Sequence, residues 1–447
     1  MTIDISQKRQ ELETLVGRIL ESARRKGASA AEVSASFDTG LSLSVRQGDV
    51  EVVEFNQDRG FGITVYFGLR RGSASTSDNS VEAMESTIAK ACEIARFTEE
   101  DPHAGLAPAE LMAGVLPELD CWHPRTMTSD SAATLALACE AAALHTSAGK
   151  VRSDGASLST HESLRVYGNS HGFIGFHAGS RFGLSCMTIA TDAAGGMQRD
   201  YWYTVGRKFE DLESPESVGK RATERALRRL SPHKAPTGRF PVAYVPEVSS
   251  GLVSHLLGAL SGGALYRKSS FLLDSLGHPV LPAAFSVVET PHLQGALGSA
   301  AFDGDGVATR RKRFVEDGTV ISYVLSAYSA RQLGLVTTGN AGGVHNVQIE
   351  GTPTPVADIY RSMHRGLLVT ECMGQGVNLV TGDYSRGASG FWIENGAVQY
   401  PVDEVTIASN LKEMLLGVVA VGDDVDTRGN LRTPTILLNE MTVGGTG

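Results

Sequence analysis

The histidines, cysteines and glycine-rich turns are where this 447-residue sequence could do chemistry, and the 12 histidines bear first on hydrolysis. A hydrolytic zinc site asks for two imidazoles presented by one helix and a carboxylate to activate the bound water. No His-Glu-x-x-His occurs. The nearest pair, His171 and His177, is six residues apart in a strand-turn region and reads as two partly exposed sheet histidines. His161-Glu162 is half of the motif by chance.

The nucleophile patterns are equally thin. Gly387-Ala388-Ser389-Gly390 falls one residue short of a nucleophile elbow and reads as a glycine-rich loop. Ser231-Pro-His-Lys234 satisfies Ser-x-x-Lys but lies on an apparent linker. Cys372 could attack a carbonyl only with a histidine beside it, and a structural thiol is the commoner case. Gly374-Gln-Gly376 lacks the third glycine and the lysine that phosphate binding needs. Asp303-Gly-Asp305-Gly306 opens like a calcium loop but continues with Val307, so it reads as a polar turn. The basic run Arg310–Arg313 offers a docking patch, or a solvated face, or a guarded sheet edge.

These residues must be held by elements that the periodicity outlines. Leu12, Leu15, Val16, Ile19, Leu20 and Ala23 recur at three and four and stop at Lys26-Gly27, which predicts an amphipathic helix. Short strands follow at Glu32–Phe37, Leu41–Gln47, Asp49–Phe55 and Gly60–Phe67. A helix begins at the Asp78-Asn79-Ser80 cap, with Val81, Met84, Ile88 and Ala91 on one face. Thr98–Met127 has no period and reads as a connection or lid. The same order then recurs: a helix at Ala132–Ala148, strands near Ala156–Tyr167, Phe173–Ala178, Gly183–Thr191 and Asp200–Val205, and a helix at Glu216–Leu230. This suggests a duplicated unit, 1–97 and 128–230, within an amino-terminal domain 1–230.

Prolines and a glycine in Ser231–Phe240 mark the boundary to a second domain, 231–447. After a strand at Phe240–Val245 and a helix at Ser249–Ala259 the texture turns to strands and hairpins. Arg310–Val315 and Thr319–Leu325 flank Asp317-Gly318, and Gly390–Ile393 and Ala397–Tyr400 flank Asn395-Gly396. The fold class is therefore α+β: an antiparallel meander with helices, then a β-rich, mostly antiparallel carboxyl-terminal domain.

Composition limits the partners. A net charge of −10 is the wrong sign for neutralising phosphates, so nucleic acid is not expected as a direct ligand. No apolar run approaches the ~18 residues that span a bilayer. Five scattered cysteines without a Cys-x-x-Cys pair fit reduced thiols, and Met1–Gln10 lacks the grammar of a secretory signal, so the cytoplasm is expected.

Several separated blocks resemble the TldD/PmbA family, in its PmbA (TldE) branch. They are Glu371–Arg386, Gly387–Gly396, Tyr400–Ala408 and Glu440–Gly445, with Gly60–Tyr66 and Phe302–Val307 earlier in the chain. The resemblance covers effectively the whole chain. It implies a two-domain subunit paired with a TldD-like chain in a cytoplasmic zinc metallopeptidase acting on unfolded or modified peptides. TldD chains carry His-Glu-x-x-x-His on the first helix of the carboxyl-terminal domain and a late cysteine as third ligand. Here the matching positions are Ser254, His255 and Ala259, and no cysteine follows Cys372. The resemblance therefore implies no catalytic residue and no metal bound by this chain, with zinc in the partner subunit.

The peptide-binding candidates are His255, Asp383, Tyr384 and Arg386. The last three are expected on a Gly382–Gly390 loop, as a charge pair and an aromatic at the mouth of a shared cleft, with the peptide added to a free sheet edge. An alternative is a homodimeric regulatory protein, matching the family's gyrase-modulator label. A third is a hydrolase using Cys372 or a serine.

Overall fold

The computed structural model describes residues 3–147 and 149–445. Met1 and Thr2 of the amino-terminal segment, Ala148 at the end of one expected helix, and Thr446 and Gly447 lie outside the described residues.

The first helix, α1 (Ile5–Arg25), is capped by Asp4, whose carboxylate accepts from the Ser6 and Gln7 amides. Its stripe Leu12, Val16, Ile19 and Ala23 is buried, and Gly27 leaves it at φ +89°. Next come β1 (Ala30–Arg46), β2 (Asp49–Phe67), β3 (Arg70–Thr76) and α2 (Val81–Phe97). The four short strands expected here are two long ones. The glycines that read as breaks are close approaches inside strands: a Cβ on Gly40 would lie 2.4 Å from the Thr160 carbonyl oxygen, and one on Gly60 would lie 2.6 Å from that of Thr76. Val81, expected on the buried face of α2, is exposed at its first turn, while Cys92 and Ala95 extend that face instead.

The order repeats as α3 (Ser129–Thr146), β4 (Val151–Asn169), β5 (Ile174–Thr191), β6 (Met197–Gly206) and α4 (Pro215–Arg228). The strands expected at Phe173–Ala178 and Gly183–Thr191 are both parts of β5. All six strands form one antiparallel sheet, β3-β2-β1-β4-β5-β6, in which the first strand of each meander meets the other at the centre.

The segment between α2 and α3 is pinned to the carboxyl-terminal half. Arg331 donates to the carbonyls of His103, Gly105 and Leu106, and the Tyr328 hydroxyl donates to Asp101.

The carboxyl-terminal half starts with β7 (Gly238–Tyr244) and α5 (Pro246–Ala259). Strands Arg365–Met373, Asp383–Glu394, Ala397–Asn410 and Ile436–Gly445 follow, and the last pairs back onto β7. Five strands thus close into a ring, with only the β7 to Arg365–Met373 contact parallel. Asp317 and Asn395 both sit at positive φ in front of glycine, as the two tight hairpins require. The first hairpin is shorter than expected, Lys312–Glu316 with Thr319–Val320. The second is longer. The main core lies between the ring and α5, where Trp392, Tyr244, Leu256, Leu260 and Leu438 are buried. Among the described residues no helix is long and apolar enough to cross a membrane.

Candidate functional site

Helix α5 starts with Pro246 at its first turn and is tied by the Ser249 hydroxyl, which donates to the Pro434 carbonyl at 2.7 Å. Leu252, Val253, Leu256 and Leu257 face the core. Ser254 is exposed, His255 half-buried and Ala259 fully buried, so of the three candidate positions only His255 offers a metal-type donor near the surface.

His255 packs edge-to-face on Tyr384, with ring centroids 6.2 Å apart. Burial, and then the Arg386 charge, hold its imidazole below the usual histidine range. The Tyr384 hydroxyl lies 3.5 Å from that of Tyr244 and 3.8 Å from the Cys372 sulfur. Burial pushes the Cys372 thiol up, which makes it a poor nucleophile. Arg386 donates to the carbonyls of Met373 and Cys372.

The structure thus brings His255, Tyr384 and Arg386 together, and it corrects three expectations around them. Gly382–Gly390 is strand rather than loop from Asp383 onward. Asp383 and Arg386 make no ion pair. Three residues apart on a strand, they point to opposite faces, and Asp383 is engaged by Thr381 at 2.7 Å. Tyr384 is buried, at 5% exposure, and supports the site from beneath instead of lining a mouth. This strand is also paired on both sides along most of its length, so it has no free edge on which to add a peptide.

A peptidase zinc ion needs three protein ligands and an open position. The residues at α5 do not fit it: His255 supplies one imidazole, and the Cys372 thiol faces a tyrosine hydroxyl. Among the described residues no three His, Cys, Asp or Glu side chains converge as a metal site.

The other motifs are used structurally. Ser389 is buried and accepts from Arg229 at 2.7 Å, so it is a strand residue bridging the two halves. Lys234 pairs with Glu404, and Ser231 donates to Asp192. The Arg310–Arg313 run is not a free patch. Lys312 reaches the fully buried Glu289, while Arg311 and Arg313 pair with Glu350 and Glu316. His171 sits in the turn after β4, its ring bonded to the Ala107 carbonyl, and only His177 lies in the sheet.

A second concavity was not expected. A cleft of about 700 Å³ opens between the sheet face and the Phe302–Asp305 turn, and Glu32, Arg71, Arg165, Tyr167 and His177 line it. Glu32 accepts from the hydroxyls of Tyr66 and Tyr167, and burial raises its pKa. Asp303 accepts three backbone amides, yet burial pushes its carboxyl up to about 6. Burial, with Arg207 and Arg165 nearby, pushes His177 down to about 4. The alternating polar residues of β1 were the only sequence signal for this face. Nothing in the sequence placed residues 302–305 over it.

Sequence models described as PmbA/TldA metallopeptidase domain 1, central domain and C-terminal domain match residues 31–95, 122–230 and 237–445. The chain is 47% identical to Metalloprotease PmbA of an Escherichia coli strain, over 99% of this chain and 98% of that one. It is 45% identical to the Metalloprotease PmbA homolog of Haemophilus influenzae, with the same coverage of each. A crystal structure from Bacteroides thetaiotaomicron, of a protein named for modulation of DNA gyrase, superposes with a TM-score of 0.92 at 27% identity. It covers 97% of this chain and 99% of that one. TldE from Thermococcus kodakarensis shares the fold, with a TM-score of 0.85 at 21% identity, over 96% of this chain and 100% of that one.

Proposed function

Because the chain belongs to the PmbA/TldD metallopeptidase family, we propose that it is the non-catalytic, peptide-holding half of a metallopeptidase complex whose zinc is carried by a TldD-like partner. The observation that carries this reading is the donor set on α5. A hydroxyl at Ser254 and a methyl at Ala259 stand where the resemblance places imidazoles, so the helix lacks the ligands that would activate water. Peptide contact would fall to the side chains of His255 and Arg386. Arg386, fixed by two carbonyls, would keep a positive charge beside His255 for a peptide carbonyl or carboxylate. Tyr384 would hold His255 in place. The complex would work on unfolded or modified peptides in the cytoplasm.

The test is a peptide-hydrolysis assay of this chain mixed with a TldD-like chain. Arg386→Ala should raise KM with kcat little changed, because it removes binding shared by ground state and transition state. A fall in kcat alone would contradict a holding role.

A further inference from the structure

The cleft between the sheet face and the Phe302–Asp305 turn carries opposite charges at its two ends. At one end stands Glu32 on β1, with Asp305 of the turn acting on it from the roof. Each keeps room for a donor. The two Glu32 oxygens take one tyrosine hydroxyl apiece, and one Asp305 oxygen takes the Ala327 amide at 2.8 Å. The cations that act on this pair are Arg71, which is exposed, and Arg331, which is turned to three carbonyls. Burial raises the pKa of both carboxyls, so an added cation would stabilise their ionised forms.

At the other end Arg165 on β4 lies opposite His177 on β5. Arg165 is exposed and, among the described residues, has no carboxylate within ion-pair reach. His177, pushed down to about 4, is neutral at neutral pH and leaves that charge uncompensated. Between the ends the floor is small and polar, with Ser34, Gly62, Thr64 and Ser73. These residues offer hydrogen bonds to amides and no wall against side chains.

The separation of the ends sets a length. Arg165 pairs with Ser36, so it stands one strand across and four residues along from Glu32. At about 4.8 Å per strand and about 3.4 Å per residue, that is roughly 14 Å. Strand side chains rise perpendicular to the sheet, which carries the spacing up to the charges. An extended tripeptide covers about 10 Å, and an ion contact of about 2.8 Å at each end brings it to roughly 15 Å. A tetrapeptide overshoots by about 5 Å.

We propose that this cleft holds a short zwitterionic peptide of about three residues, its ammonium between Glu32 and Asp305 and its carboxylate on Arg165. Recognition is by the two free ends and the length, with the side chains unread. Membership of a metallopeptidase family makes such fragments, which peptide cleavage releases, the ligand class at hand. The inference does not rest on the reading of α5, because a catalytic chain could hold a fragment here equally well.

Isothermal titration of the full chain with trialanine, at two temperatures, tests it. One site per chain is expected. Acetylating the amine or amidating the carboxyl should each weaken binding about tenfold, and hexaalanine should bind more weakly than trialanine. Arg165→Ala should remove the preference for the free carboxyl over the amide and keep the preference for the free amine. Glu32→Gln should do the reverse. Arg165 is exposed, so its variant should melt as the parent does, which separates misfolding from lost recognition. No binding of trialanine at millimolar concentration would overturn the proposal. So would capped peptides that bind as tightly as free ones, or a carboxyl preference that survives Arg165→Ala. Binding lost in Arg386→Ala but kept in Arg165→Ala would move the peptide to α5 and overturn it as well. Failure here leaves the hydrolysis assay standing, since that assay reads Arg386.

Discussion

The ring of the carboxyl-terminal half and the sheet of the amino-terminal half treat their strand edges in opposite ways. In the carboxyl-terminal half, five strands close on one another through the pairing of Ile436–Gly445 with β7, so the ring has no open side. In the amino-terminal half the sheet stays open, and β2 leaves residues 49–60 bare. Closure concentrates burial: Trp392 and Tyr244 sit inside, at 0% and 2% exposure. Openness keeps side chains such as Phe55 in solvent. The difference teaches that Trp392 and Tyr244, inside the ring, hold the fold, whereas Phe55, on the bare stretch of β2, is available for contact.

That contrast is easiest to break with a pair of aromatic deletions, one in each half. Trp392→Ala should cost about 3–5 kcal/mol in chemical denaturation, whereas Phe55→Ala at low protein concentration should stay within ~0.5 kcal/mol. Equal losses would erase the distinction. Lys312→Met should come next, at about 3 kcal/mol, because it leaves the fully buried Glu289 without its cation. Burial raises Glu289, but His345 and Lys312 more than offset it and leave its pKa lowered. Its stability is therefore present above the unfolded carboxyl range and is lost as pH falls through the folded value. Glu289→Gln should flatten the acid limb of a melting profile.

A smaller effect is expected at the cap of α2, where the Ser80 hydroxyl accepts from the Ala83 amide. Ser80→Ala should lower stability by about 1 kcal/mol in the same denaturation experiment. The smallest and most local prediction concerns the cleft. His177 has a folded pKa near 4, below that of a free imidazole, so the unfolded chain takes up its proton first as pH drops. Stability should fall between about pH 6.5 and 4. His177→Gln should narrow the gap between melting temperatures at pH 7 and pH 5. An unchanged gap would mean that this imidazole is freely hydrated.

The element types of the fold were legible because periodicity is local: the stripe of α1, the cap of α2 and the Asp-Gly and Asn-Gly turns all follow from neighbours in sequence. Strand lengths were not legible, because Gly40 and Gly60 read as breaks until Thr160 and Thr76 are seen against them. At the site, the helix carrying His255 could be located from the sequence. The burial of Tyr384 and the separation of Asp383 from Arg386 depend on strand alternation and on Tyr244, 140 residues away. The cleft under residues 302–305 joins segments that share no local signal, so only the three-dimensional structure shows it.

Whether α5 can drive hydrolysis unaided is the question on which the role of this chain turns. Peptide cleavage should be followed for the purified, tag-free chain alone and after adding a TldD-like chain, with bound zinc quantified in both samples. Cleavage only in the mixture, with the metal on the added subunit, is the predicted result. Stoichiometric zinc on the isolated chain, with chelator-sensitive cleavage by it, would contradict a non-catalytic role.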